Sequence, residues 1–153
     1  MRFEKPNVWA TAGVGFGPVV SRWTENAVAH SHQLSTGAGV RGYYMAQRMP
    51  NKGVTFIAVG DVGDGIPATM RSRYAELEDV AALQYALEPG VSSDGGGGNG
   101  LHVARQLTEM IEGGVMTVES GGGFLRVRAG RTGQAEPLPR AYGLTRVSFR
   151  LGI

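Results

Sequence analysis

The sequence predicts an α/β two-layer sandwich, with a mixed, mostly antiparallel sheet covered on one face by about three helices. Three observations predict it. Val54 to Val59 form a continuous apolar run with the length and β-branched content of a buried strand. Leu125, Val127 and Ala129 alternate with Arg126 and Arg128, as Val147, Phe149 and Leu151 do with Ser148 and Arg150; this is the period of half-exposed antiparallel strands. Leu101, Ala104, Leu107 and Ile111 recur at helical spacing, with Val103 and Met110 widening the stripe.

Taken in order, the first element is a helix expected from near Pro18 to before Gly37, with Val20, Trp23, Ala27 and Leu34 as one buried stripe. Strands follow over Gly42 to Arg48 and Val54 to Val59. Asp61 is the first polar side chain after the second strand, so it falls at the carboxyl end, where ligands commonly bind in open α/β sheets. Gly63 and Gly65 leave room for a flat ligand beside the backbone and permit φ > 0. One carboxylate delivered into a glycine-walled pocket suits an amine-bearing heterocycle such as adenine, although Asp-x-Gly also makes ordinary turns.

Between Ala68 and Asp94 no strand pattern occurs, and Tyr74, Leu77, Val80, Ala81, Leu83 and Leu87 predict a short amphipathic helix. The next helix runs from about Asn99 to Glu112 and is stopped by Gly113-Gly114. It is fed by the glycines at 95–98. A glycine-rich loop entering a helix amino terminus presents free N–H groups and the positive end of the dipole, an arrangement that suits phosphate. Strands are then expected over Val115 to Ser120, Gly123 to Ala129 and Thr145 to Leu151. The segment Gly130 to Tyr142, with Pro137 and Pro139, reads as a loop or hairpin excursion.

Composition narrows the classes. A chain of 153 residues suffices for one core, and a single domain is expected. The net charge of +2 is too small to argue for a nucleic-acid partner. No stretch approaches about 18 apolar residues, so no membrane span is expected. The opening Met-Arg-Phe-Glu-Lys-Pro lacks the apolar core of a signal peptide. The absence of cysteine excludes disulfides, thiolate metal sites and a Cys nucleophile, and fits a cytoplasmic location. The 25 glycines cluster without a period, which excludes repeat architectures. Gly37 to Gly42 spells G-x-G-x-x-G, but a helix precedes it and a strand follows, the reverse of the dinucleotide arrangement. There is no P-loop and no Gly-x-Ser-x-Gly elbow.

Three segments carry a family resemblance through their order: Glu25-Asn26-Ala27-Val28-Ala29-His30-Ser31, Asp61-Val62-Gly63-Asp64-Gly65-Ile66 and Gly96-Gly97-Gly98-Asn99-Gly100-Leu101. Together they resemble the N box and the two glycine boxes of the GHKL (Bergerat-fold) ATP-binding domain found in sensor histidine kinases and anti-sigma serine kinases. The resemblance implies ATP and Mg²⁺ as ligands, with Asn26 on the Mg²⁺ that bridges the phosphates. It implies an adenine pocket from Asp61, Gly63, Gly65 and Ile66, and a triphosphate loop from Gly96, Gly98, Gly100 and Leu101. Gly143-Leu144-Thr145 is similar to the Gly-Thr that opens the family's last strand, with one extra residue, and Thr145 joins the cofactor-binding set. Asn99 replaces the apolar residue common in the second glycine box. Residues 68–100 correspond to the lid, whose order depends on ATP. Arg71 and Arg73 are either phosphate-directed cations or a solvated surface pair.

Two departures bear on the chemistry. Many hydrolysing relatives carry a catalytic Glu where this chain has Arg22, and histidine kinases often carry a Lys where it has Ala29. Glu25 precedes Asn26 directly and so lies about 100° away around the helix. Glu25 and His30 remain the candidate catalytic side chains. The expected function is that of a signalling kinase or anti-sigma-like regulator. It transfers the γ-phosphate of ATP to a regulatory protein partner, a phosphoacceptor or a sigma/STAS-like protein, with weak ATPase activity. The alternative is a non-catalytic, ATP-gated protein-binding switch. No histidine-bearing pair of dimerisation helices precedes the N box, so a complete sensor kinase is not expected.

Overall fold

The computed structural model describes residues 42–92 and 99–152, and the helix expected over 18–37 lies outside them. The described chain is α/β. Its elements are β1 (Gly42–Met49), a 3-10 turn (Pro50–Lys52), β2 (Val54–Asp61), α1 (Gly65–Arg71), α2 (Asp79–Tyr85), α3 (Gly100–Met110), β3 (Val115–Arg128) and β4 (Arg131–Gly152).

The four strands form one sheet in the order β1-β2-β4-β3. Every pairing among the described residues is antiparallel, where a mixed, mostly antiparallel sheet was expected. The reason is local. β1 joins β2, and β3 joins β4, through connections too short for a crossover, and such connections admit only antiparallel neighbours.

Alternation then assigns the faces. Ile57 and Val59 on β2, Val147 and Phe149 on β4, and Met116 and Val118 on β3 share one face with Leu125 and Val127 in a single buried cluster. Leu83 and Leu87 from the α2 region and Ala104 of α3 close over that face. Burying each large aliphatic side chain contributes about 1.5–3 kcal/mol, which holds the helices down. The helix expected from about Asn99 to Glu112 is α3; it ends at Met110 on an extended Ile111, so Gly113, at φ +67°, lies beyond the cap and is not the stop expected.

Elsewhere the structure departs from the sequence reading. The segment 68–94 was expected to hold one short helix; it holds α2 and the end of α1 instead. With only seven residues, α1 is too short to show a full apolar stripe. Tyr74 and Leu77, expected on the helix, lie in the turn between α1 and α2. The strands expected over 115–120 and 123–129 are one strand, β3, whose register shifts on either side of Gly121. Such bulges bend a strand without ending it. The excursion over 130–142 is a hairpin, and its returning arm is the first half of β4. That half pairs with β3 alone and is an edge, the place where Pro137 and Pro139 do no harm to the ladder. Among the described residues, no helix is long and apolar enough to cross a membrane.

Candidate functional site

At one end of the sheet a single row runs across four strands: Gly42 opposite Asp61, Asp61 opposite Thr145, and Thr145 opposite Ser120. By strand alternation the last three face the helix-covered side, each one step beyond an apolar pair. They are nevertheless buried, with Asp61 7%, Thr145 8% and Ser120 0% exposed. Three adjacent buried polar side chains need partners, because an unmade hydrogen bond there costs about 1–3 kcal/mol.

Ser120 supplies two of those bonds. Its Oγ accepts the N–H of Ile66 at 2.8 Å and lies 2.8 Å from Oγ1 of Thr145. Ile66 sits in the first turn of α1, where backbone N–H groups have no intrahelical acceptor. The capping residue, Asp64, makes no side-chain cap bond, so β3 provides the cap instead. The chain reaches this position through Gly63, which is buried, and Gly65, at φ +85°. A Cβ on Gly65 would lie 2.8 Å from the Ser120 hydroxyl. Glycine here satisfies both the left-handed backbone and the close approach.

A second brace lies beside it. Asp79, the first residue of α2, accepts the Gly122 N–H at 2.5 Å through Oδ2 and pairs with Arg71 through Oδ1. Arg71 also donates from Nε to the Leu77 carbonyl at 3.1 Å. Gly123 lets α2 lie on β3, since a Cβ there would come 2.7 Å from Cδ1 of Leu83. Arg73 reaches the Ser92 carbonyl at 3.4 Å and stands over the Tyr74 ring.

Gly100 is the first residue of α3, and Leu101 packs against the core cluster. Asn99, just before the helix, accepts the Gly90 N–H through Oδ1 at 2.9 Å. His102 Nδ1 donates to the Leu87 carbonyl at 3.0 Å. These two bonds tie the 87–90 turn to the start of α3.

On the other face of the sheet, one residue along from the polar row, Arg146 donates to Glu119 at 2.6 Å. This bond raises the arginine pKa, while burial raises that of the neighbouring Tyr43 phenol. The group at the sheet end is a buried carboxylate beside two buried hydroxyls, of which Ser120 is already bonded to Ile66 and Thr145.

Of the residues singled out by sequence, Asp61, Gly65, Ile66 and Thr145 meet here, with Gly63 on the connecting segment. Gly100 and Leu101 belong to α3. Glu25, Asn26, His30, Gly96 and Gly98 lie outside the described residues. Ser120 and Asp79 were not singled out. The signal for Ser120 is its parity: it continues the apolar register of Met116 and Val118 as a polar residue. Asp79 carries no comparable signal. No protein-family model matches the chain, and no curated protein matches it.

Proposed function

We propose that the chain is an ATP-binding domain of the GHKL (Bergerat-fold) type, which passes the γ-phosphate of ATP to a regulatory protein partner. The observation that carries the reading is the buried Asp61 beside Thr145 at the carboxyl end of β2, with the glycine segment 63–65 turning into α1 next to them. In this reading the Asp61 carboxylate accepts the exocyclic amine of adenine. Gly63 and Gly65 leave space for the ring, and Ile66 forms part of its wall. Gly100, at the start of α3, turns its backbone N–H to the phosphates, a role that Gly96 and Gly98 share by resemblance alone. Asn26 is the proposed Mg²⁺ ligand by resemblance alone; the bound ion neutralises phosphate charge.

In the transfer step, a hydroxyl or imidazole of the partner forms a bond to the γ-phosphorus, ADP leaves with the bonding pair, and the nucleophile's proton passes to a base. Arg22 and Ala29 stand where relatives carry catalytic groups, so hydrolysis by the chain alone is slow, below the usual enzyme range of about 1 s⁻¹. The same two residues favour the second reading, an ATP-gated binding switch. Label from γ-phosphate appearing on a partner protein separates transfer from gating.

Calorimetric titration with ATP·Mg²⁺ and GTP·Mg²⁺ tests the pocket. ATP should bind, and GTP should bind at least about tenfold more weakly, because guanine places a carbonyl oxygen where Asp61 needs a donor. Absence of ATP binding would remove the proposal.

A further inference from the structure

We infer that Ser120 is a positioning residue that sets the direction of the Thr145 hydroxyl and thereby the pocket's preference for adenine. This rests on the nucleotide reading above. Ser120 is fully buried, and its Oγ has two polar contacts, the Ile66 N–H and Oγ1 of Thr145, each at 2.8 Å. A hydroxyl carries one proton and two lone pairs. The amide of Ile66 can only donate, so it occupies a lone pair. Either hydroxyl could donate across the contact with Thr145. Ser120, however, is fully buried with no other acceptor for its proton among the described residues, whereas Thr145 is 8% exposed, so we assign Ser120 as the donor.

With Ser120 donating, Thr145 keeps its own proton to offer outward. Thr145 stands directly across from Asp61. The row therefore presents an acceptor, the Asp61 carboxylate, beside a donor, the Thr145 O–H. The complementary ligand edge has a donor beside an acceptor. Adenine has this edge, because its amine is flanked by ring nitrogens N1 and N7. Guanine and hypoxanthine put a carbonyl in place of the amine, so an acceptor meets the Asp61 carboxylate; beside it the N1 edge carries a donor and the N7 edge a second acceptor. Ser120 touches no ligand atom in this arrangement; it acts through Thr145.

The test uses the full chain and four binding titrations: ATP, 1-deaza-ATP, 7-deaza-ATP and inosine triphosphate. Ser120→Ala should weaken ATP about five- to tenfold, the size of one lost hydrogen bond. It should leave unchanged the affinity for whichever deaza analogue lacks the nitrogen facing Thr145, and should narrow the preference for ATP over inosine triphosphate. In a Thr145→Val background, Ser120→Ala should cost nothing further. Ser120→Cys, near-isosteric with only a weak S–H donor, carries the same comparison if the alanine variant does not fold.

Equal losses for ATP and both deaza analogues, or losses that add in the double variant, would overturn the inference and leave Ser120 as the cap of α1. Those outcomes require that wild type binds ATP, so they overturn this inference alone. Failure of wild type to bind ATP defeats the pocket and the inference together.

Discussion

Asp61 on β2 and Thr145 on β4 are direct cross-strand partners, both buried on the helix-covered face. Their pairing closes a ladder that runs without a shift from Val54 opposite Gly152 to Asp61 opposite Thr145. A slip of one residue would turn Thr145 to the other face and carry Val147 and Phe149 out of the core with it. Core packing therefore holds the polar pair in register, and side chains so placed have Cβ atoms about 4.5–5.5 Å apart.

Asp61→Asn should weaken ATP binding by roughly 1.5–3 kcal/mol, because the amide loses the charge that strengthens the bond to the adenine amine. The two side chains have nearly the same shape, so the fold should survive. Equal affinity of variant and wild type in calorimetric titration would end the adenine assignment.

Gly65→Ala and Gly90→Ala make a matched pair. Both positions have φ well above zero, at +85° and +75°, but a Cβ at Gly90 meets nothing within 4 Å while one at Gly65 strikes Ser120. Gly90→Ala should lose only the backbone strain, about 1 kcal/mol. Gly65→Ala should lose that and the Ile66 contact as well, about 2–3 kcal/mol in all. Urea unfolding measures the difference, and equal losses would mean that α1 does not hold its place against β3.

Asp79→Ala should destabilise by about 1.5–3 kcal/mol, since it strips the partly buried Gly122 amide of a charged acceptor. Arg71→Ala removes the exposed half of the same cluster and should cost under about 1 kcal/mol. Amide exchange at Gly122 should quicken in the first variant and barely change in the second. The reverse order would mean that the ion pair, not the amide bond, braces α2.

High pH should reach the β1 edge. Burial raises the Tyr43 and Tyr44 phenols above the ordinary value of 10.0. A neutral form favoured in the fold contributes stability that is fully present below 10.0 and lost as pH rises through the raised values. Phenolate absorbance should therefore appear late, with melting temperature falling over the same interval. Ordinary titration with constant melting temperature would place both rings in water.

Much of the chain was legible in its sequence because the relevant forces act over short distances. The apolar run ending at Asp61 and the alternation in 145–151 are periodicities that survive folding unchanged, and the stripe of α3 survives at Leu101, Ala104 and Leu107, while Val103 and Met110, expected to widen it, are exposed. They appear where expected as β2, the end of β4 and α3. The hairpin of β3 and β4 was half legible. Its prolines spoke for a loop, and only the edge position of that arm explains why they sit in a strand. Seven-residue α1 and the single β3 were not legible, because a short helix lacks a full period and glycines 121–123 resemble a break.

At the candidate site the division is sharper. The sequence by itself determined that a carboxylate follows a buried strand and that glycines follow the carboxylate. Only the tertiary structure decided that Ser120, 54 residues from Ile66, caps the helix those glycines begin, and that Thr145 stands beside Asp61. The physical reason is that a periodic pattern states which face of an element is buried. It does not state which element will face it. That choice is made by the sheet order β1-β2-β4-β3, which brings β4 between β2 and β3 and sets the three polar side chains in one row.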